Sequence, residues 1–85
     1  LIQIYQDMKV LCFGIAREII GNSELLIPNV EIDTVSSLKA YLKSEYPEFN
    51  VYKQFQIAVN QEFADDDRPI CSRDEIAIIP PVSGG

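Results

Sequence analysis

Histidine is absent from this chain of 85 residues. That removes the commonest metal ligand and the commonest general base, so neither a Cys–His nor a Ser–His–Asp mechanism can be assembled within it. Cysteine is scarce: Cys12 and Cys71 stand far apart, form no C-x-x-C pair and build no disulfide framework. Both are expected to be ordinary reduced thiols, as in cytosol. Basic residues are few, with 7 Lys and Arg against 13 Asp and Glu and a net charge of −6. Phosphate binding needs clustered cations, so nucleic acid is an unsuitable partner. The acidity suits a partner with a basic surface, or serves solubility alone. Apolar runs fall far short of the roughly 20 residues that span a bilayer, so no membrane span is expected. Neither G-x-x-x-x-G-K-[ST] nor G-x-G-x-x-G occurs, so no nucleotide site or bound cofactor is expected. Residues 1–7 lack a basic start and a cleavage site, which argues against a secretory leader.

What is present fits one small domain with an ordinary apolar fraction of 47%. We divide the chain into an upstream extension at 1–7, a folded domain at 8–79 and a tail at 80–85. Met8 opens a clean strand pattern, and the alternation of Ile2 and Ile4 also permits an extra strand ahead of it. Lys9 to Gly14 reads as the first strand. Ile15 to Ile20 carries a short helical turn with Arg17 and Glu18 outward, and Gly21 is its natural stop. Glu24 to Ile27 is the second strand, antiparallel to the first and ended by Pro28.

Asp33-Thr34 offers an N-cap for a helix from about Val35 to Glu45. Val35, Leu38, Tyr41, Leu42 and Tyr46 recur at helical spacing and are expected to face a sheet, with Lys39 and Lys43 on the wet side. Pro47 disfavours helical geometry at Tyr46 and marks the end. Phe55 to Val59 is a third strand, Asn60-Gln61 a tight reversal, and Glu62 to Ala64 a short return. Asp65-Asp66-Asp67 reads as a solvated acidic turn. Ile76 to Ile79 is the last strand, and its unbroken apolarity predicts burial on both faces. One main helix packed on a mixed sheet makes a two-layer α+β domain. The β-grasp is the architecture that fits, with the last strand central and parallel to the first.

Past Ile79 the sequence reads Pro80-Pro81-Val82-Ser83-Gly84-Gly85. The double proline favours an extended backbone. Six extended residues reach about 20 Å, enough to enter another protein's active site. Gly84 and Gly85 lack Cβ atoms, so a narrow channel can close around them and a carboxylate on Gly85 is sterically open. Such a carboxylate is inert until activated. Adenylation with ATP gives a mixed anhydride that a sulfur donor can attack, and the product is a thiocarboxylate. With no nucleotide site of its own, the chain would need a separate activating enzyme that uses the ATP.

Several segments together resemble the small subunit of molybdopterin synthase, a ubiquitin-like sulfur carrier. They are Lys9 to Gly14, Ala16-Arg17-Glu18, Ala58-Val59-Asn60-Gln61, and Asp74 to Gly85 with its Pro-Pro-Val-Ser-Gly-Gly ending. The ending is the specific piece, and the resemblance spans Met8 to Gly85. It implies that an adenylating enzyme activates Gly85 and that sulfur is installed there as a thiocarboxylate. The tail residues Pro80, Pro81, Val82, Ser83 and Gly84 then enter the active site of a large catalytic subunit. Sulfur passes to cyclic pyranopterin monophosphate in molybdenum cofactor synthesis, within a cytoplasmic heterotetramer whose catalytic side chains belong to the large subunit. Ile79 falls where the family has an apolar contact with its partners. Phe13 and Arg17 are interface candidates, although Phe13 also reads as core and Arg17 as a partner of Glu18 or a nearby acid. Asn60 reads as a turn former. Cys12 and Cys71 read as bystanders.

Three other readings compete. A carrier for thiazole synthesis or transfer-RNA thiolation shares the chemistry. A protein modifier would join Gly85 to lysines. A plain interaction module would need no diglycine at all. An iron–sulfur ferredoxin on the same fold is excluded, because a thiolate-held cluster takes about four cysteines.

Overall fold

In the computed structural model the described residues are 7–28, 32–51 and 55–80. Their elements run β1 Met8–Cys12, α1 Gly14–Ile20, β2 Glu24–Ile27, α2 Val35–Glu45, a 3₁₀ turn Pro47–Asn50, β3 Gln56–Val59, β4 Glu62–Phe63 and β5 Ile76–Ile79. The five strands form one sheet in the order β2-β1-β5-β3-β4. β1 and β2 are antiparallel, from Met8↔Ile27 to Leu11↔Glu24. β5 lies between β1 and β3, parallel to β1 with Val10↔Ile76 and antiparallel to β3 with Val59↔Ile76. This is the expected α+β β-grasp, with the last strand at the centre.

Side chains alternate across each strand, so one register places every core residue on one face. Met8, Val10, Cys12, Ile27, Ile57, Val59, Ile76 and Ile78 form that inner face. α2 closes over it with Val35, Leu38 and Leu42, all at 0% exposure. Burying an aliphatic side chain of this kind stabilises by about 1.5–3 kcal/mol. Ala16 of α1 joins the same core, while Ile19 and Ile20 pack at its margin. Gly21 ends α1 in a left-handed conformation, φ 83°, and its N–H donates to the Arg17 carbonyl at 2.8 Å.

α2 begins as expected at a Thr34 cap, in the reciprocal form: the Ser37 N–H donates to Thr34 Oγ1, and the Thr34 N–H donates to Ser37 Oγ. The acidic turn is more than a solvated loop. The Val35 N–H donates to the Arg68 carbonyl and the Ser36 N–H to the Asp66 carbonyl, at 3.0 and 2.8 Å. These are donors that a helix start leaves without partners, and the 65–68 backbone satisfies them. Lys39 is drawn off the wet side for the same reason, with its Nζ 2.7 Å from Asp66 Oδ1. That hydrogen bond and the lysine's charge hold the Asp66 carboxyl below its usual range.

Other expectations change on folding. Tyr46 caps α2 rather than extending its buried stripe, and both it and Tyr41 are only partly buried. The chain then turns through Pro47–Asn50, a 3₁₀ element that hydrophobic periodicity did not reveal. Its Phe49 is buried against Phe55, ring centroids 5.1 Å apart. β5 is not covered on both faces: Ile76 and Ile78 are buried, whereas Ala77 and Ile79 are half-buried on the side away from α2. Unbroken apolarity in β5 therefore marks a face that α2 does not cover.

Candidate functional site

The outer face of the sheet carries the residues that the inner face rejects by parity. Leu11 pairs with Ala77, Ala77 with Ala58 and Ala58 with Phe63, so these side chains form a row across four strands. Phe13 continues the outward parity of Lys9 and Leu11 just beyond β1. It is 50% exposed, which overturns its reading as core. Phe63 is 69% exposed on the two-residue edge strand β4. Together with Ile79 these residues line a shallow groove of about 290 Å³, with Gln61 and Glu75 at its polar rim. Phe13 and Phe63 thus add exposed aromatic surface to this apolar face.

Two of the three expected interface residues meet here. Ile79 and Phe13 both line the groove, from the adjacent ends of β5 and β1, although they are 66 positions apart in sequence. Arg17 does not line it. It sits exposed on α1 and makes no ion pair among the described residues, so its reading as a partner of Glu18 fails. Pro80 leaves the end of β5 beside Gly14, whose backbone adopts φ +55°. A Cβ on Gly14 would lie 3.1 Å from Pro80 Cγ, so the absence of a side chain lets the root of the tail pack closely. Pro81, Val82, Ser83, Gly84 and Gly85 lie outside the described residues, as does the possible extra strand at Ile2 and Ile4.

Phe63 and Leu11 are groove residues that sequence reasoning passed over. The signal was available: a two-residue reversal at Asn60-Gln61 places Phe63 opposite Ala58, on the face opposite Ile57 and Val59. Asn60 and Gln61 both have positive φ, 53° and 70°, the backbone of a two-residue hairpin turn. Asn60 does more than permit that turn. Its Oδ1 accepts from the Glu75 N–H at 2.9 Å, and its Nδ2 donates to Asp74 Oδ1 at 3.0 Å. The other Asp74 oxygen accepts from the Cys71 N–H at 2.9 Å. Hydrogen bonds from Asn60 and then from Cys71 hold the Asp74 carboxyl below the usual carboxylate range.

Neither cysteine is part of a reactive constellation. Cys12 is buried in the inner face, where desolvation pushes its thiol above its usual range, and it donates only to the Val10 carbonyl at 3.6 Å. Cys71 is exposed and unbridged. Among the described residues, no group of three His, Cys, Asp or Glu side chains gathers in a way that could hold a metal ion. The site is thus an apolar groove beside the end of β5, with Gln61 and Glu75 as its polar lining residues.

The chain is similar in sequence and fold to known proteins. The molybdopterin synthase sulfur carrier subunit of Dictyostelium discoideum is 42% identical over 83 residues, covering 93% of this chain and 96% of that one. A solved structure of a putative molybdopterin converting factor, subunit 1, from Pyrococcus furiosus superposes with a TM-score of 0.76 at 26% identity, over 91% of this chain and 99% of that one. A complex of subunits 1 and 2 of the molybdopterin-converting factor from Helicobacter pylori contains the same fold, with a TM-score of 0.63 at 23% identity over 94% of this chain and 100% of that one. The model of the ThiS family matches residues 10–85, from within β1 through the diglycine, and the chain belongs to that family.

Proposed function

We propose that this chain is the sulfur carrier subunit of a molybdopterin synthase. The observation that carries the reading is the similarity to relatives named as molybdopterin synthase sulfur carrier subunits, within a family match from Val10 to Gly85. The relative from Dictyostelium that bears this name is similar along nearly its whole length. In this reading a separate enzyme joins the Gly85 carboxylate to AMP, releasing pyrophosphate from ATP. A sulfur donor then displaces AMP and leaves a thiocarboxylate. The chain itself supplies no catalytic side chain. It positions the acyl sulfur while the large subunit performs the transfer to the pterin precursor, and both proteins work in the cytoplasm.

The outer groove fits this role as the docking face for the large subunit. It is apolar, α2 does not cover it, and it borders Pro80, where the tail begins. A surface that grips next to the tail fixes the direction in which Pro81 to Gly85 extend, and orientation of this kind lowers the cost of bringing reacting groups together. The partner seen with the similar subunit from Helicobacter pylori is of the same kind.

Intact-mass spectrometry tests the carrier role directly. The protein is incubated with ATP, its activating enzyme and a sulfur source. The expected outcome is a mass gain equal to the difference between sulfur and oxygen, lost when Gly85 is deleted. An unchanged mass, with an activating enzyme that works on another carrier, would instead support a non-covalent interaction module.

A further inference from the structure

The groove has two walls from different parts of the chain. One wall is the β3–β4 hairpin bearing Phe63. The other is β5 with the end of β1, bearing Ala77, Ile79 and Phe13. Four strand pairs, from Gln56↔Ile79 to Val59↔Ile76, join β3 to β5, and one side chain carries that junction on into the hairpin turn. β4 is a two-residue edge strand paired with β3 at Ala58↔Phe63 and Val59↔Glu62, with the Ala64 N–H donating to the Ile57 carbonyl at 3.0 Å just beyond. Its hairpin turn needs positive φ at residue 60, and glycine would supply that as readily as asparagine. The asparagine side chain is instead used entirely on the opposite wall. It accepts from the Glu75 N–H and donates to Asp74, while the Asn60 N–H donates to the Glu75 carbonyl at 2.7 Å. Only this orientation of the amide satisfies both partners, since the reverse would set an oxygen against the carboxylate. Asp74 is itself fixed by the turn it closes, through the Cys71 N–H and through its own N–H to the Cys71 carbonyl at 3.1 Å. The residues next to this latch, Gln61 and Glu75, form the groove's polar rim.

We propose that Asn60 and Asp74 are positioning residues for docking: their hydrogen bond clamps the Phe63 hairpin to the start of β5 and sets the width of the groove that receives the large subunit. Without the clamp the hairpin turn is tied to β5, past the Val59↔Ile76 pair, by the Asn60 N–H alone, and binding must pay for ordering it. This rests on the reading of the groove as the docking face, so the experiment tests that reading separately.

Binding of each variant to the cognate large subunit is measured by titration calorimetry, well below its thermal midpoint, alongside the sulfur-transfer rate at saturating carrier. Phe63→Ala tests the groove. Asn60→Gly keeps the positive-φ turn and removes the clamp. Asn60→Asp sets two carboxylates against each other. Asn60→Asp combined with Asp74→Asn rebuilds the same hydrogen bond with donor and acceptor exchanged. Asn60→Gly is expected to weaken binding about fivefold, the scale of a lost hydrogen bond, with far less effect on the saturated rate. Asn60→Asp weakens it at least as much, and the exchanged pair restores it to within about twofold. If Phe63→Ala weakens binding but Asn60→Gly lowers only the thermal midpoint, the latch is structural and the proposal fails. An exchanged pair that binds as poorly as Asn60→Asp also overturns it. If Phe63→Ala binds normally, it is the docking reading that falls.

Discussion

The two faces of the sheet are built from the same strands and reach opposite ends. On the inner face Ile57, Val59, Ile76 and Ile78 are sealed under α2, all at 0% exposure. On the outer face the interleaved residues Ala77 and Ile79 are half-buried, while Phe63 and Phe13 are exposed. The inner face is wholly apolar, whereas the outer face mixes apolar residues with Lys9, Glu24 and Gln56. The difference is whether α2 covers the face. A small domain has little surface to spare, and this one uses its main helix on one side only. The apolar residues left on the other side cost solubility and contribute little to folding, so their use lies outside the domain. The net charge of −6 counteracts the tendency of such a face to associate.

The sharpest test of this comparison is a pair of truncations. Ile78→Ala on the inner face is expected to cost about 2–5 kcal/mol in urea unfolding, because it leaves a cavity that the surrounding core cannot close. Phe63→Ala removes a larger side chain from the outer face, yet should shift stability by only about 0.5 kcal/mol. If the two losses were alike, the faces would be energetically equivalent and the contrast would break.

A smaller effect comes from Asp66, which links the acidic turn to α2. Its folded-state pKa is depressed by Lys39, so its contribution is present above the unfolded carboxylate value of about 4. That contribution is lost as pH falls through the lower, folded-state value. The thermal midpoint of Asp66→Asn should therefore lie below that of the unchanged protein near neutral pH and converge with it in acid. Because the carboxylate is largely exposed, added salt should shrink the gap. A gap independent of pH would show that the turn holds α2 by its backbone bonds alone.

Most of the fold was legible because its signals are local. Thr34 and Pro47 bracket α2 by capping and by proline geometry, and the observed helix Val35–Glu45 has the expected ends. Gly21 stops α1, and Asn60-Gln61 turns the hairpin, for reasons carried by single residues. The errors share a different cause. Phe13 looked like core because its place at the end of an apolar strand says nothing about which face α2 covers. β5 looked doubly buried because an apolar run reads the same whether its second face meets a helix, another protein or water. Lys39 and the acidic turn looked solvated because their meeting spans 27 positions of sequence.

The order of the elements, the bounds of the main helix and the proline–diglycine ending were determined by the sequence alone, since each depends on local backbone preferences or on the identity of consecutive residues. The site beside that ending was decided by tertiary structure. It exists because β5 inserts between β1 and β3, which brings Phe13, Phe63 and Ile79 onto one face and Asn60 onto Asp74. No local preference encodes those neighbours. They follow from burying one face of every strand under a single helix, which leaves the other face to be assembled by register.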